Sequence, residues 1–343
     1  MKPIRFLALP LAPLYGAVVR ARNRAFDRHP ERAARAGRPV VSIGNLSLGG
    51  TGKTPVTLFL AEGLQRHGWS NAVLSRGYGG HRQLDPMPVE PDTPPSQAGD
   101  EPALIARRLG PRRVVVARRR IDGALLAAGY DPAPRCLLLD DGFQHRALHR
   151  DLDLLLLDGV KRWGNGRMVP LGDLREPMEA VVRAHALVVT RASRASMTEV
   201  RSWWQRYGSG GPVFEVDFAI QALRPWPGGE KAAMPPADTP FLAFCALGNP
   251  GSFLADLMVA GVRWVADFTF RDHHAITPKE LVLLQARAAQ AGAEALICTE
   301  KDAVKLGEAH RAVLKLPLYV AEQSLLRGDE LLQWVVSRLE AIR

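Results

Sequence analysis

The chain has 343 residues, 47% hydrophobic and 23% charged, a balance that excludes an extended disordered protein and leaves room for two domains with cores of their own. Its three cysteines, Cys136, Cys245 and Cys298, stand far apart in apolar surroundings, which argues against a zinc-binding pair or a disulfide framework and for buried thiols in a reducing compartment. The formal charge of +10 is concentrated: residues 1–40 carry nine Lys or Arg against two acids, and residues 107–120 carry seven Arg and no acid, two basic runs that suit an anionic surface, an anionic substrate or nucleic acid, the second equally a solvated basic face.

At the amino terminus, residues 4–19 read IRFLALPLAPLYGAVV and lead into an Arg-rich helical pattern. The stretch is shorter than the roughly 20 apolar residues of a spanning helix and is interrupted by Pro10 and Pro13. Most of the positive charge follows the apolar run, the reverse of a signal peptide. An apolar segment with a basic flank predicts a membrane-associated helix at 1–38 lying in the interface of an anionic leaflet; the alternative is a helix docked on the core.

Next, PVVSI at 39–43 reads as a short buried strand, followed by a glycine-rich turn at 44–52 and a helix at 53–67. Further short apolar runs stand at 72–74, 114–117, 136–139, 152–157 and 186–190, with helical stretches between them. This alternation predicts an α/β fold with a mostly parallel sheet covered by helices. The proline-loaded stretch 83–99 predicts a surface loop. From Phe241 onward strand and helix signals resume, so the expected division is 1–38 amino-terminal segment, 39–215 core domain, 216–240 linker, and 241–343 a smaller C-terminal α/β domain.

The turn SLGGTGKT at 47–54 carries the strongest chemical signal. Glycines let consecutive backbone N–H groups converge on phosphate oxygens, and the helix start adds its positive dipole end. The pattern makes the fold P-loop NTPase-like and assigns nucleotide binding to Ser47, Gly49, Gly50, Thr51, Gly52, Lys53 and Thr54. Lys53 would face the β and γ phosphates of ATP, and the Thr54 hydroxyl would ligate Mg²⁺. Ser47 stands where the strict motif has glycine. The strand RCLLLDD at 135–141 ends in Asp140 and Asp141, at the usual place of a second magnesium-binding acid, although paired acids there can also cap a turn. Transfer to an alcohol further needs a group that takes the hydroxyl proton. Asp100, in a GDE turn, is a candidate for that role or for a plain helix cap. In DHH at 272–274, metal binding, proton relay and loop decoration all stay open.

Taken together, IGNLSLGGTGKTP at 43–55, SRGYGG at 75–80, GDEP at 99–102, DDGFQH at 140–145, GNG with LREP within 164–177, DHH at 272–274 and TEKDAVK at 299–305 resemble the tetraacyldisaccharide 4'-kinase family of Gram-negative bacteria. The resemblance implies transfer of the ATP γ-phosphate to the 4'-hydroxyl of tetraacyldisaccharide 1-phosphate, forming lipid IVA at the cytoplasmic face of the inner membrane, with ATP and Mg²⁺ as cofactors. It implies Lys53, Asp100 and His273 as the catalytic residues, with His273 assisting Asp100. Asp140 and Asp141 take the metal position. Tyr78, Arg120, Gln144, His145, Arg175 and Glu176 line the substrate and nucleotide cleft. Asp173 stands before LREP where the family is expected to have proline, and Ala246 stands in CALGNP where glycine is expected; neither departure touches the phosphate site.

The implied partners are the lipid substrate and the anionic inner-membrane surface, with no nucleic acid, and the chain is expected to act as a monomer. If Lys53 and His273 share a site, it forms between domains and closure belongs to catalysis. Two other classes compete. One is a P-loop GTPase or ATPase switch, such as a metal-insertion chaperone, with water as the acceptor; its GTPase version is disfavoured because no guanine-selecting N-K-x-D stands near the end of the first sheet. A nucleic-acid binder is disfavoured because aromatics do not interleave the basic runs.

Overall fold

The computed structural model describes residues 11–81, 85–228 and 238–342. Residues 4–10 of the apolar amino-terminal reading and 229–237 of the expected linker lie outside the described residues. The strands are β1 Val40–Asn45, β2 Asn71–Ser75, β3 Met87–Val89, β4 Val114–Val116, β5 Cys136–Asp140 and β6 Leu152–Asp158. They continue with β7 Ala186–Thr190, β8 Val213–Trp226, β9 Phe241–Cys245, β10 Trp264–Thr269, β11 Ala295–Thr299 and β12 Leu318–Leu326. The longer helices are α1 Leu11–Arg28, α2 Lys53–Arg66, α3 Asp100–Leu109, α4 Arg120–Ala128, α5 Met197–Tyr207, α6 Pro250–Val259, α7 Pro278–Ala291 and α8 Asp329–Ala341.

Among the described residues, twelve strands join one sheet in the order β10-β9-β11-β12-β8-β7-β6-β1-β5-β2-β4-β3. Neighbours run parallel except at β3–β4 on one edge and at β8–β12 in the middle. The short Val, Ile and Leu runs of β1, β2, β5, β6 and β7 are buried along their whole length, as strands covered by helices on both faces must be. β1 lies between β6 and β5, with Ile43 beside Asp140. Because these strands are parallel, the glycine turn after β1 and the carboxylates at the end of β5 emerge at the same edge. That edge is where open α/β sheets bind their ligands.

Two features differ from the expected division. Residues 216–226 were expected to open a linker, yet they lie within β8, a 14-residue strand. β8 pairs parallel with β7 at its start and antiparallel with β12 from Asp217 onward, so it carries the sheet from one half into the other. The physical reason is the alternation of Phe214, Val216 and Phe218, whose side chains all turn inward, a period of two that outweighs the nearby prolines. The second feature is α8. Its Leu331, Leu332, Val335 and Leu339 pack in the same core as Val56, Leu60 and Leu64 of α2, within the first half. Gly63 makes room for it, since a Cβ there would stand 2.6 Å from Leu332 Cδ2. The second half keeps a core of its own around Leu242, Phe244, Leu284, Leu296 and Val320. Within the expected 83–99 loop, Met87–Val89 forms the edge strand β3 and Pro95–Ala98 a single helical turn.

Along α1, Gly16, Val19 and Asn23 face inward at helical spacing, while Leu14 and Val18 are 62% and 60% exposed on the outer side. Among the described residues no helix is long and apolar enough to cross a membrane. The Tyr15 hydroxyl donates to the Arg175 carbonyl at 2.9 Å and Asn23 Nδ2 to Glu176 Oε2 at 2.8 Å, so α1 is fastened to the body as well as exposing an apolar stripe. The second basic run is divided: Arg108 pairs with Glu300 at 2.7 Å, Arg113 donates to the Asn71 carbonyl at 2.8 Å and Arg120 is buried, while Arg107, Arg112, Arg118 and Arg119 are exposed. All three cysteines are free and buried, and burial pushes the Cys136 and Cys245 thiols up to about 12.

Candidate active site

β1 ends at Asn45, whose Nδ2 donates to the Ser47 carbonyl at 2.8 Å, and Leu48 N donates to the Asp173 carbonyl at 2.7 Å. Beyond this anchor the chain turns through Gly49 at φ +106° and Gly52 at φ +79°, angles that disfavour any side chain. At Gly52 space also forbids one, because a Cβ would lie 2.2 Å from Phe218 Cζ. The turn is held from below by Thr190 Oγ1, which donates to the Thr51 carbonyl at 3.0 Å. α2 then starts at Lys53, so its free amide donors and positive end face the same opening. Lys53 Nζ is 3.4 Å from Asn45 Oδ1 and 3.5 Å from Asp141 Oδ1.

The opening is a cleft of about 950 Å³. Gly49, Gly50, Thr51, Gly52, Lys53 and Thr54 line it, as do Tyr78, Arg120, Asp140, Asp141, Gln144, His145, Arg175, Glu176 and His273. Ser47 and Asp100 do not. Ser47 instead bridges to Leu174, which ties the loop to the segment carrying Arg175 and Glu176.

The two carboxylates at the end of β5, Asp140 within it and Asp141 just beyond, have different surroundings. Asp140 is 1% exposed and accepts from Thr57 Oγ1 at 3.4 Å and Ser75 Oγ at 3.3 Å. Burial, then the neighbouring Glu101 and Asp141, push its carboxyl up to about 7 against the pull of Lys53 and Arg120. For Asp141, burial is outweighed by Lys53 and Arg175, which hold its carboxyl below the usual range. Arg175 Nη1 reaches both Asp141 oxygens, at 2.9 and 2.8 Å. Among the described residues, no three His, Cys, Asp or Glu side chains gather as a complete metal cage. A buried carboxylate whose charge Lys53 and Arg120 only partly offset, beside a glycine turn at a helix start, nevertheless fits Mg²⁺, which takes one or two protein groups and completes its shell with phosphate and water.

Asp100 is the first residue of α3, and its Oδ2 lies 3.1 Å from His273 Nδ1. His273 adopts φ +61° and its Nε2 stands 3.4 Å from Lys301 Nζ. The adjacent histidine has a structural part: His274 Nε2 bonds Glu280 at 2.9 Å and its ring stacks on Phe270 with centroids 4.9 Å apart. Glu280 itself closes the capping box of α7 with Thr277. The DHH turn is thereby fixed so that one imidazole meets the Asp100 carboxylate.

The remaining wall is cationic. Burial, then Arg120, Arg150, Arg22 and Arg76, push the His145 imidazole down to about 4, leaving a neutral ring among guanidiniums. Gln144 Nε2 donates to the Asn45 carbonyl at 2.9 Å, and Arg22 of α1 bonds the Gln144 carbonyl. Glu176 is 1% exposed and held by Asn23 and by Arg183 at 2.9 Å. A glycine turn at a helix start, an imidazole backed by the Asp100 carboxylate and a basic wall around one cleft can hold a nucleotide and a second, anionic substrate together.

The profile of tetraacyldisaccharide-1-P 4'-kinases matches residues 4–340. The chain belongs to the tetraacyldisaccharide 4'-kinase family. It is 38% identical to the tetraacyldisaccharide 4'-kinase of Anaeromyxobacter dehalogenans strain 2CP-C, over 95% of this chain and 88% of that protein. It is likewise 38% identical to the enzyme of Rhodopseudomonas palustris strain TIE-1, over 98% of this chain and 93% of that one. Its fold is similar to the crystal structure of an "apo" form of LpxK from Aquifex aeolicus in complex with ATP, with a TM-score of 0.74 and 29% identity over 98% of this chain and 99% of that one. The activity is that of a tetraacyldisaccharide 4'-kinase in lipid A biosynthesis, which sets aside the GTPase or chaperone switch.

For this kinase, reading the sequence missed Glu101, Arg76 and Lys301 on the cleft wall. The motif TEKDAVK was a usable signal for Lys301. What it lacked was the contact of Lys301 with Glu101 at 3.4 Å, across 200 residues of sequence.

Proposed function

We propose that the kinase binds ATP with Mg²⁺ in the 47–54 loop and transfers the γ-phosphate to the 4'-hydroxyl of tetraacyldisaccharide 1-phosphate at the cytoplasmic face of the inner membrane, forming lipid IVA. The supporting observation is that Lys53 and the Asp100–His273 pair converge on one cleft, Lys53 and His273 lining it and Asp100 bonded to His273. The ATP complex of the Aquifex aeolicus structure adds to it.

In this reading, the amides of the glycine turn and the start of α2 cradle the phosphates, and Lys53 draws off charge that develops during transfer. Asp100 accepts the proton of the 4'-hydroxyl, and His273, bonded to it, fixes the carboxylate in register. Thr54, Asp140 and Asp141 would hold Mg²⁺, whose charge would offset that of the β and γ phosphates. Tyr78, Arg120, Gln144, His145, Arg175 and Glu176 shape the remainder of the cleft for the sugar and its anionic group. The apolar stripe of α1 and its arginines dock the monomeric enzyme on the anionic leaflet that holds the acyl chains. The cleft lies between the two halves of the sheet, so their approach is part of turnover.

The test is transfer of radiolabelled γ-phosphate to tetraacyldisaccharide 1-phosphate in mixed micelles. Lys53→Ala and Asp100→Ala should each cut turnover by roughly a hundredfold or more without changing the melting temperature. Wild-type turnover in the Asp100 variant removes the proton-acceptor assignment, and wild-type turnover in the Lys53 variant removes the phosphate site.

A further inference from the structure

Residues 299–305, TEKDAVK, start at the last residue of β11 and lie along α3, the helix that begins with Asp100. Arg107 donates to the Val304 carbonyl at 2.9 Å and Arg108 pairs with Glu300 at 2.7 Å, so two guanidiniums of α3 already clasp this segment. Lys305 stands apart from that clasp. Its side chain is 5% exposed and it does not line the cleft. Its Nζ lies 3.0 Å from Asp302 Oδ1, 2.9 Å from the His274 carbonyl and 3.8 Å from Asp100 Oδ2.

Asp302 is fully buried and is itself fixed. Its Oδ2 accepts from Thr299 Oγ1 at 2.6 Å and from Ala246 N at 3.2 Å, and the Ala246 carbonyl accepts from His273 N at 3.3 Å. One buried ammonium therefore touches the Asp100 carboxylate in the first half and the backbone of the turn that presents His273 in the second. Burying a lysine is costly unless its charge is paired and its hydrogens are used. Here all three partners belong to the Asp100–His273 pair or to its direct support.

We propose that Lys305 is a positioning residue for phosphoryl transfer. Anchored by Asp302 and the His274 carbonyl, it sets the Asp100 carboxylate against His273 when the two halves meet. Because its ammonium is buried and taken up by Asp302, the His274 carbonyl and Asp100, it acts through Asp100 and not on either substrate. The inference rests on Asp100 as the proton acceptor.

The experiment measures kcat and both KM values for full-length Lys305→Met, Asp100→Asn and the double variant in mixed micelles. Lys305→Met should lower kcat by roughly tenfold to a hundredfold, the scale of a misplaced reacting group, with KM for ATP and lipid within about twofold of wild type. On the Asp100→Asn background the same substitution should cost nothing more, since no carboxylate is left to place. Asp302→Asn with Lys305→Met removes both buried charges and serves as the folding control: it should melt like wild type and keep the low kcat. Recovery of wild-type kcat in that control would trace the loss to a stranded Asp302 and overturn the proposal. A folded Lys305→Met with wild-type kcat overturns it too, as does a full further loss on the Asp100→Asn background. Wild-type kcat in Asp100→Asn alone brings down the proton-acceptor reading, and this inference with it.

Discussion

Asp140 binds its proton more tightly in the fold than in an unfolded chain, its carboxyl moving from 3.8 up to about 7 through burial and the nearby Glu101 and Asp141. Between those values the folded state holds more protons than the unfolded state, so the stability this group contributes is present below 3.8 and is lost as pH rises through about 7. Asp140→Asn removes the titration. The metal-free variant should melt above the metal-free wild type, with the gap opening across that pH window, while its turnover collapses. Calorimetry on both proteins across the window is the check, and a variant no more stable at its upper end defeats the charge argument. That Asp140, Lys53 and Gly52 meet at one cleft was legible in the sequence because the motif ties residue type to spacing. The contacts of Glu101 with Lys301 and of Lys305 with Asp100 were not, because they arise from segments that meet only after folding.

At the scale of elements, α2 and the strands around β1 were legible because a continuous apolar run or a helical stripe survives any packing arrangement. β8 was hidden by Pro225, Pro227 and Gly228 near its end, although its inward Phe214, Val216 and Phe218 keep the period of a strand. Its antiparallel pairing with β12 is a contact between distant segments that no local pattern announces. α1 has a testable division of labour between its faces. Asn23 and Tyr15 fasten it to Glu176 and Arg175, while Leu14 and Val18 point away from the body. Leu14→Glu with Val18→Glu should therefore weaken sedimentation with anionic vesicles and leave the melting temperature and ATP affinity unchanged. Retained vesicle binding in that double variant would move the docking surface elsewhere.

At the scale of the molecule, the two halves are tied by more than the strand that crosses between them. The chain leaves the second half after β12 and returns, through α8, to the core of the first. Leu331, Leu332, Val335 and Leu339 are each at most 4% exposed there. At about 1.5–3 kcal/mol for each buried aliphatic side chain, these four contribute on the order of 6–12 kcal/mol, as much as the whole net stability of about 5–15 kcal/mol of an ordinary domain. A chain ended at Gly328 should therefore fail to hold its first half together, even though every residue of the 47–54 loop and both carboxylates at the end of β5 remain. If the C-terminal part from 241 onward were a self-contained closing unit, the same truncation would leave the first half folded and able to bind ATP. Circular dichroism melts and limited proteolysis with and without ATP separate the two outcomes. A cooperative melt with ATP protection in the truncated chain would show that α8 is dispensable; a broad, early transition without protection would make α8 the strap that returns the second half of the sheet to the first.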